Sequence, residues 1–158
     1  MLTESMEDYL EMVYRLVKAN GYVRAVDLAE SLKVQASSVT RMIQKLDEAG
    51  FIRYEKYRNI ALTEMGERYG EFLVWRDETL KRFLVALNAQ DGVDEQVEGM
   101  EHYITPKTMS LIRCLLEFFE NAPKAQKQFH SLQEKRGYPD GVELDKIRAW
   151  DYRHSSVD

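Results

Sequence analysis

The chain is poor in cysteine, has no apolar run approaching the roughly 18 residues of a membrane-spanning helix, and contains no repeat or low-complexity tract. The one cysteine, Cys114, lies in the apolar run LIRCLLEFF. An internal disulfide and a thiolate metal cluster are therefore excluded, and the expectation for Cys114 is a small buried hydrophobe. The segment MLTESMEDYL is acidic where a secretory signal would be basic and then greasy. We expect a cytoplasmic protein with no membrane partner.

An excess of positive charge is also missing. The formal net charge is −5 over 158 residues, which taken alone argues against a nucleic-acid partner. Its distribution argues the other way. Residues 21–60 carry seven Lys or Arg against five Asp or Glu, whereas residues 61–158 carry thirteen against eighteen. Screening limits what a distant charge contributes to about 10 Å, so a locally basic third remains a candidate DNA surface.

Hydrophobic spacing gives the elements. MEDYLEMVYRLVKA repeats apolar residues at Met6, Tyr9, Leu10, Val13, Tyr14 and Val17 and stops at Asn20-Gly21, which predicts a first helix. AVDLAESLKV, with Val26, Leu28, Ala29 and Leu32, reads as a short second helix. ASSVTRMIQKLDEAG holds Val39, Met42, Ile43 and Leu46 on one face and ends at Gly50, a third. FIRYE and IALT, around KYRN, predict a β-hairpin.

Thr63 is then a cap for a long helix over 64–88, weakened somewhat by Gly66 and Gly70 and long enough to join two lobes. After the break NAQDGVD, a short helix in VDEQVEGMEHY precedes Thr105-Pro106, a cap with proline in the first turn. The helix they open is apolar on more than one side, through Met109, Leu111, Ile112, Leu115, Leu116, Phe118 and Phe119. Such a helix in a small protein needs two surfaces to bury against, which predicts a homodimer. One more helix is expected in KAQKQFHSLQEK. The fold class is mainly α, organised as 1–63, a linker helix 64–88, a helical region 89–140 and a polar tail 141–158.

Three helices followed by a hairpin are the order of a winged helix-turn-helix, whose third helix enters the major groove while the hairpin touches the DNA backbone or minor groove. Opposite its apolar stripe the third helix offers Ser37, Ser38, Thr40, Arg41, Gln44 and Lys45, the hydroxyl, amide and cationic donors that phosphate positioning and base reading require. The hairpin adds Arg53, Lys56, Tyr57 and Arg58. The expected partner is a double-stranded DNA operator. Taken alone, the polar face is equally an ordinary solvated helix surface.

A second constellation is acidic. In VEGMEH, Glu98, Glu101 and His102 share a face if the stretch is helical, and in MEDYLE so do Asp8 and Glu11. Acidic helix faces are most often merely solvated. Two such pairs brought together would repel unless a divalent cation lay between them.

SMEDYLE, SSVTRMIQKL, YEKYR and VEGMEH occur in an order that closely resembles the manganese-responsive members of the diphtheria-toxin-repressor family of metal-dependent repressors, over about Ser5 to Glu120. The resemblance implies a winged helix joined by a long helix to an all-helical dimerisation domain, with a binuclear manganese(II) site of two ions per subunit where these parts meet. Carried over by motif, the ligands are Asp8, Glu11, Glu98 (side chain and backbone carbonyl), Glu101 and His102. One position departs from the pattern. Where such regulators place a histidine directly after an arginine, this chain has Arg76 followed by Asp77.

With Asp77 in the set, five carboxylates face the four positive charges of two divalent ions, where a histidine would leave the sums equal. Oxygen-rich donors with one imidazole suit Mn(II), and the sulfur ligands that the resemblance assigns to iron-responsive relatives are replaced here by Asp8 and Glu98. The implied activity is repression of manganese-uptake genes when manganese is plentiful, with no small organic substrate. Two rivals remain. One is a winged-helix regulator that senses another ligand or none. The other, a di-metal carboxylate enzyme of the bundle type, wants Glu-x-x-His on two helices, and no Glu-x-x-His occurs, so no enzyme is expected.

Overall fold

A computed structural model describes residues 2–54, 59–89 and 91–136. It divides into two compact units between Arg76 and Asp77. The first is a winged helix-turn-helix and the second is helical.

In the first unit α1 (Glu4–Asn20), α2 (Ala25–Leu32) and α3 (Ala36–Glu48) pack around a core of Leu10, Val13, Val23, Leu28, Val39, Ile43, Leu46, Ile52, Ile60 and Leu73. Each of these side chains contributes about 1.5–3 kcal/mol by leaving water, which fixes the mutual packing of three short helices. The Thr3 hydroxyl accepts a hydrogen bond from the Met6 amide at 3.3 Å and starts α1, and Gly21, at φ +79°, stops it. Asp27 closes the start of α2, its carboxylate accepting from the Arg24 amide at 2.8 Å and from the guanidinium at 2.9 Å. Val26, expected in the apolar stripe of α2, is exposed instead. That helix has only eight residues and buries a single narrow face, centred on Leu28.

β1 (Ile52–Arg53) and β2 (Ala61–Leu62) pair antiparallel, Ile52 with Leu62 and Arg53 with Ala61. A bridge between Val23 and Ile60 adds a third backbone segment to this sheet. The wing is therefore tied to the chain leaving α1, a pairing that no local pattern around Val23 announces.

α4 (Glu64–Ala86) starts where expected. The Thr63 hydroxyl accepts from the Gly66 amide at 3.0 Å and has its single proton within reach of the carbonyls of Gly50 (2.7 Å) and Phe51 (3.0 Å). The two glycines of α4 are sites of close approach. A Cβ at Gly66 would lie 1.8 Å from the Phe51 carbonyl oxygen, and one at Gly70 would lie 2.7 Å from Tyr14 Cβ. Buried Arg76 donates to Glu7 at 2.9 Å, and the Tyr69 hydroxyl reaches the same carboxylate at 3.1 Å.

The second unit contains α5 (Val93–Met100), a 3₁₀ turn (Glu101–Tyr103), α6 (Pro106–Asn121) and α7 (Pro123–Arg136), with the last turns of α4. Thr105 caps α6 by accepting from the Thr108 amide at 3.2 Å, and Pro106 occupies its first turn. Leu80, Leu84, Val97, Met109, Ile112, Leu116 and Phe119 are buried. Leu111, Leu115 and Phe118 line the other side of α6 and stay exposed. Cys114, expected to be buried, is exposed with them, because its position falls on that outer side rather than on the stripe through Ile112 and Leu116. α7 closes the end of α4. Gln126 and His130 bond the Ala86 carbonyl at 3.3 and 2.9 Å, and Gln133 donates to the Leu87 carbonyl at 2.7 Å.

Candidate DNA-binding face and metal donors

On α3 the buried stripe of Val39, Ile43 and Leu46 turns Ser37, Ser38, Arg41, Gln44 and Lys45 to solvent. Thr40 is half-buried, and its hydroxyl donates to the Ala36 carbonyl at 3.0 Å, which leaves oxygen lone pairs rather than the proton for another partner. Arg53 is exposed on β1. Lys56, Tyr57 and Arg58 lie outside the described residues. What the first unit presents on α3 is a row of mixed donors with two cations, able to hold phosphates and to reach base edges.

The acidic residues divide between the units. In the first, α1 carries Asp8 and Glu11, both half-buried. Glu11 accepts from Arg15 Nε at 2.8 Å, one turn further along the helix. In the second, Asp77 is buried near the middle of α4, and its Oδ1 lies 3.1 Å from Lys81 Nζ. Glu101 and His102 come together on the 3₁₀ turn, with Glu101 Oε1 and His102 Nε2 3.7 Å apart and side chains only 4% and 8% exposed.

Glu98 does not share that environment. It is exposed on α5, while Glu101 is buried. Between the two, at Met100, the α-helix ends and a 3₁₀ turn begins. The i, i+3, i+4 rule that groups Glu98 with Glu101 and His102 assumes an unbroken α-helix.

A model described as iron dependent repressor, N-terminal DNA binding domain, matches residues 1–60, and one described as iron dependent repressor, metal binding and dimerisation domain, matches residues 63–130. The HTH-type transcriptional regulator MntR of Bacillus velezensis is 42% identical over 144 residues, covering 88% of this chain and 99% of that protein. The regulator of the same name from Bacillus subtilis is 43% identical over 140 residues, covering 85% and 96%. The chain belongs to the iron-dependent repressor family of transcriptional regulators. Among solved structures, a manganese-dependent transcriptional repressor in complex with manganese superposes with a TM-score of 0.59 at 30% identity, over 71% of this chain. The chain spans about half of that solved chain's length, 52%.

Within this repressor family, the donors present fit a hard or borderline divalent cation. They are carboxylate oxygens and one imidazole, without sulfur, and the buried Glu101–His102 pair supplies one of each kind. Sequence reasoning missed the cations that accompany the acids. Glu11 is followed four residues on by Arg15, and Asp77 by Lys81, both in ion pairs. Acid-to-base spacing of four on a helix was the available signal. Asp94, which also binds Lys81 at 2.7 Å, comes from α5 and had none. Burial pulls the Lys81 ammonium down, but its hydrogen bonds to Asp94 and Asp77 outweigh this and hold it above the ordinary lysine value.

Proposed function

We propose that the protein is a manganese(II)-responsive transcriptional repressor that binds an operator as a homodimer and carries out no enzymatic turnover. The observation that carries the reading is the sulfur-free donor set of a DNA-binding repressor, above all the carboxylate and imidazole of Glu101 and His102 buried side by side. Membership of a metal-dependent repressor family supports it, as do a relative whose structure holds manganese and the absence, among the described residues, of a helix long and apolar enough to cross a membrane. A cytoplasmic location follows from this role.

In this reading Asp8, Glu11, Asp77, Glu98, Glu101 and His102 form the metal-binding set, for two manganese ions per subunit. Residues 1–63 read DNA, 64–88 link, 89–140 bind metal and dimerise, and 141–158 form a polar tail. Bound divalent ions supply the positive charge that lets carboxylates from separate parts of the chain lie close together. Without it, Asp8 and Glu11 repel the acids of the second unit, and α4 acts as a tether. A ligand shifts such an equilibrium only by its differential affinity for the two states. The exposed Leu111, Leu115 and Phe118 of α6 provide the apolar face for a second copy. In the dimer a fixed spacing presents two α3 helices to successive major grooves, where Ser37, Ser38, Thr40, Arg41, Gln44 and Lys45 contact DNA, flanked by Arg53, Lys56, Tyr57 and Arg58 of the wing.

The test is operator binding at one fixed salt concentration against Mn(II), Fe(II), Co(II) and Zn(II), with a chelator control, because salt alone changes such affinities by orders of magnitude. Manganese should promote binding and the chelator should abolish it. Binding indifferent to the chelator would overturn the reading in favour of a metal-independent regulator.

A further inference from the structure

Lys81 sits between two carboxylates. Its Nζ lies 3.1 Å from Asp77 Oδ1, one turn earlier on α4, and 2.7 Å from Asp94 Oδ1 in the first turn of α5. The three side chains grade from inside to outside, at 12% exposure for Asp77, 37% for Lys81 and 82% for Asp94. A lysine ammonium is a compact point charge on a flexible stem, so it can hold two acceptors or move between them with little rearrangement. Asp77 also carries the negative charge that unbalances the acidic set, and a cation opposing that charge lies on the same helix.

We infer that Lys81 is a resident competitor for the metal. In the metal-free protein its ammonium is shared between the Asp77 and Asp94 carboxylates, and it passes wholly to Asp94 when Asp77 turns to a divalent ion. This rests on the proposed metal-binding role of Asp77. Lys81 thereby raises the manganese concentration at which the repressor responds, and Asp94 lowers it. Two effects of Lys81 act in the same direction, since it engages a ligand and adds a positive charge near the bound ions. A lysine that merely positioned Asp77 for the metal would act in the opposite direction.

Direct manganese titration, read by the electron paramagnetic resonance signal of the unbound hexaaqua ion, separates these roles without using DNA. Lys81→Gln should bind Mn(II) roughly tenfold more tightly than the parent, an effect kept modest by the partial exposure of the lysine. Asp94→Asn should bind more weakly, because among the described residues Lys81 then has Asp77 as its one remaining carboxylate. In the double variant the Asp94 effect should vanish. An Asp94 effect of equal size with and without Lys81 would indicate distant electrostatics and refute the hand-over.

Lys81→Gln with unchanged or weaker manganese affinity overturns the inference, provided its circular dichroism matches the parent. Should that variant fail to fold, Lys81→Arg carries the same test. It keeps the charge but spreads it over a larger, planar fork, and must restore near-parental affinity while Lys81→Met tightens it. A parent chain that binds no manganese at all would instead overturn the proposed function.

Discussion

Gly66→Ala pits helix propensity against packing. Propensity alone says that alanine in the first turns of α4 stabilises the helix by up to about 1 kcal/mol. The structure says otherwise, because the added methyl would stand 1.8 Å from the Phe51 carbonyl oxygen, with Leu62 Cδ2 also at 3.3 Å. Reaching even a 3.0 Å contact requires the Phe51 backbone or α4 to move by more than an ångström. That carbonyl accepts from both the Thr63 amide and the Thr63 hydroxyl, each at 3.0 Å. Overpacking of this kind costs about 1–3 kcal/mol, and each strained hydrogen bond about 0.5–1.5 kcal/mol more. Set against the gain in propensity, the net is a loss of about 1–5 kcal/mol.

Thermal unfolding followed by circular dichroism in a chelator, so that metal linkage does not mask the change, should show a drop on the order of 10 °C. Gly99→Ala is the internal control. A Cβ there meets nothing within 4 Å, so α5 should gain about 0.5–1 kcal/mol. A Gly66→Ala protein melting at or above the parent would be falsifying for the close approach of α4 to the Phe51 carbonyl.

Thr63→Ala removes the cap of α4 and the hydroxyl proton shared by the Gly50 and Phe51 carbonyls, and should destabilise by about 1–2 kcal/mol in the same melts. Glu7→Ala takes the carboxylate away from the buried Arg76 guanidinium and from Tyr69, with an expected loss on the order of 3 kcal/mol by urea titration. Arg41→Ala on the exposed face of α3 should leave the melting midpoint unchanged while reducing the slope of log affinity against log salt for a DNA operator by about one. The Arg24 guanidinium, through its hydrogen bond, holds the Asp27 carboxyl below the ordinary carboxylate value. That pair therefore contributes stability above the unfolded-state pKa and loses it as pH falls through the folded one, and Asp27→Asn should flatten the acid limb of the stability profile.

The repetition of apolar residues in Leu10–Val13, Val39–Ile43–Leu46 and Met109–Ile112–Leu116–Phe119 was sufficient to read three helices and the sides they bury. Caps at Thr63 and Thr105 were equally legible, because a hydroxyl beside the start of an apolar stripe has one local use. The direction of the α3 polar face followed from its stripe. The expected burial of Cys114 failed because a run of apolar letters was treated as one face. The face shared by Glu98, Glu101 and His102 was read as one α-helix, and the chain passes into a 3₁₀ turn after Met100, with Glu98 exposed and Glu101 buried.

Local order determined the elements of this protein, their ends and the chemical class of the residues they display, since each depends on neighbours within about one helical turn. Tertiary structure alone decided that Val23 joins the wing, that Gly66 and Gly70 are demanded by Phe51 and Tyr14, and that α7 closes the end of α4. It also decided that Asp94 shares the ammonium beside Asp77. These depend on groups far apart in sequence meeting at van der Waals or hydrogen-bond range, and no spacing along a single chain encodes which distant partner will arrive.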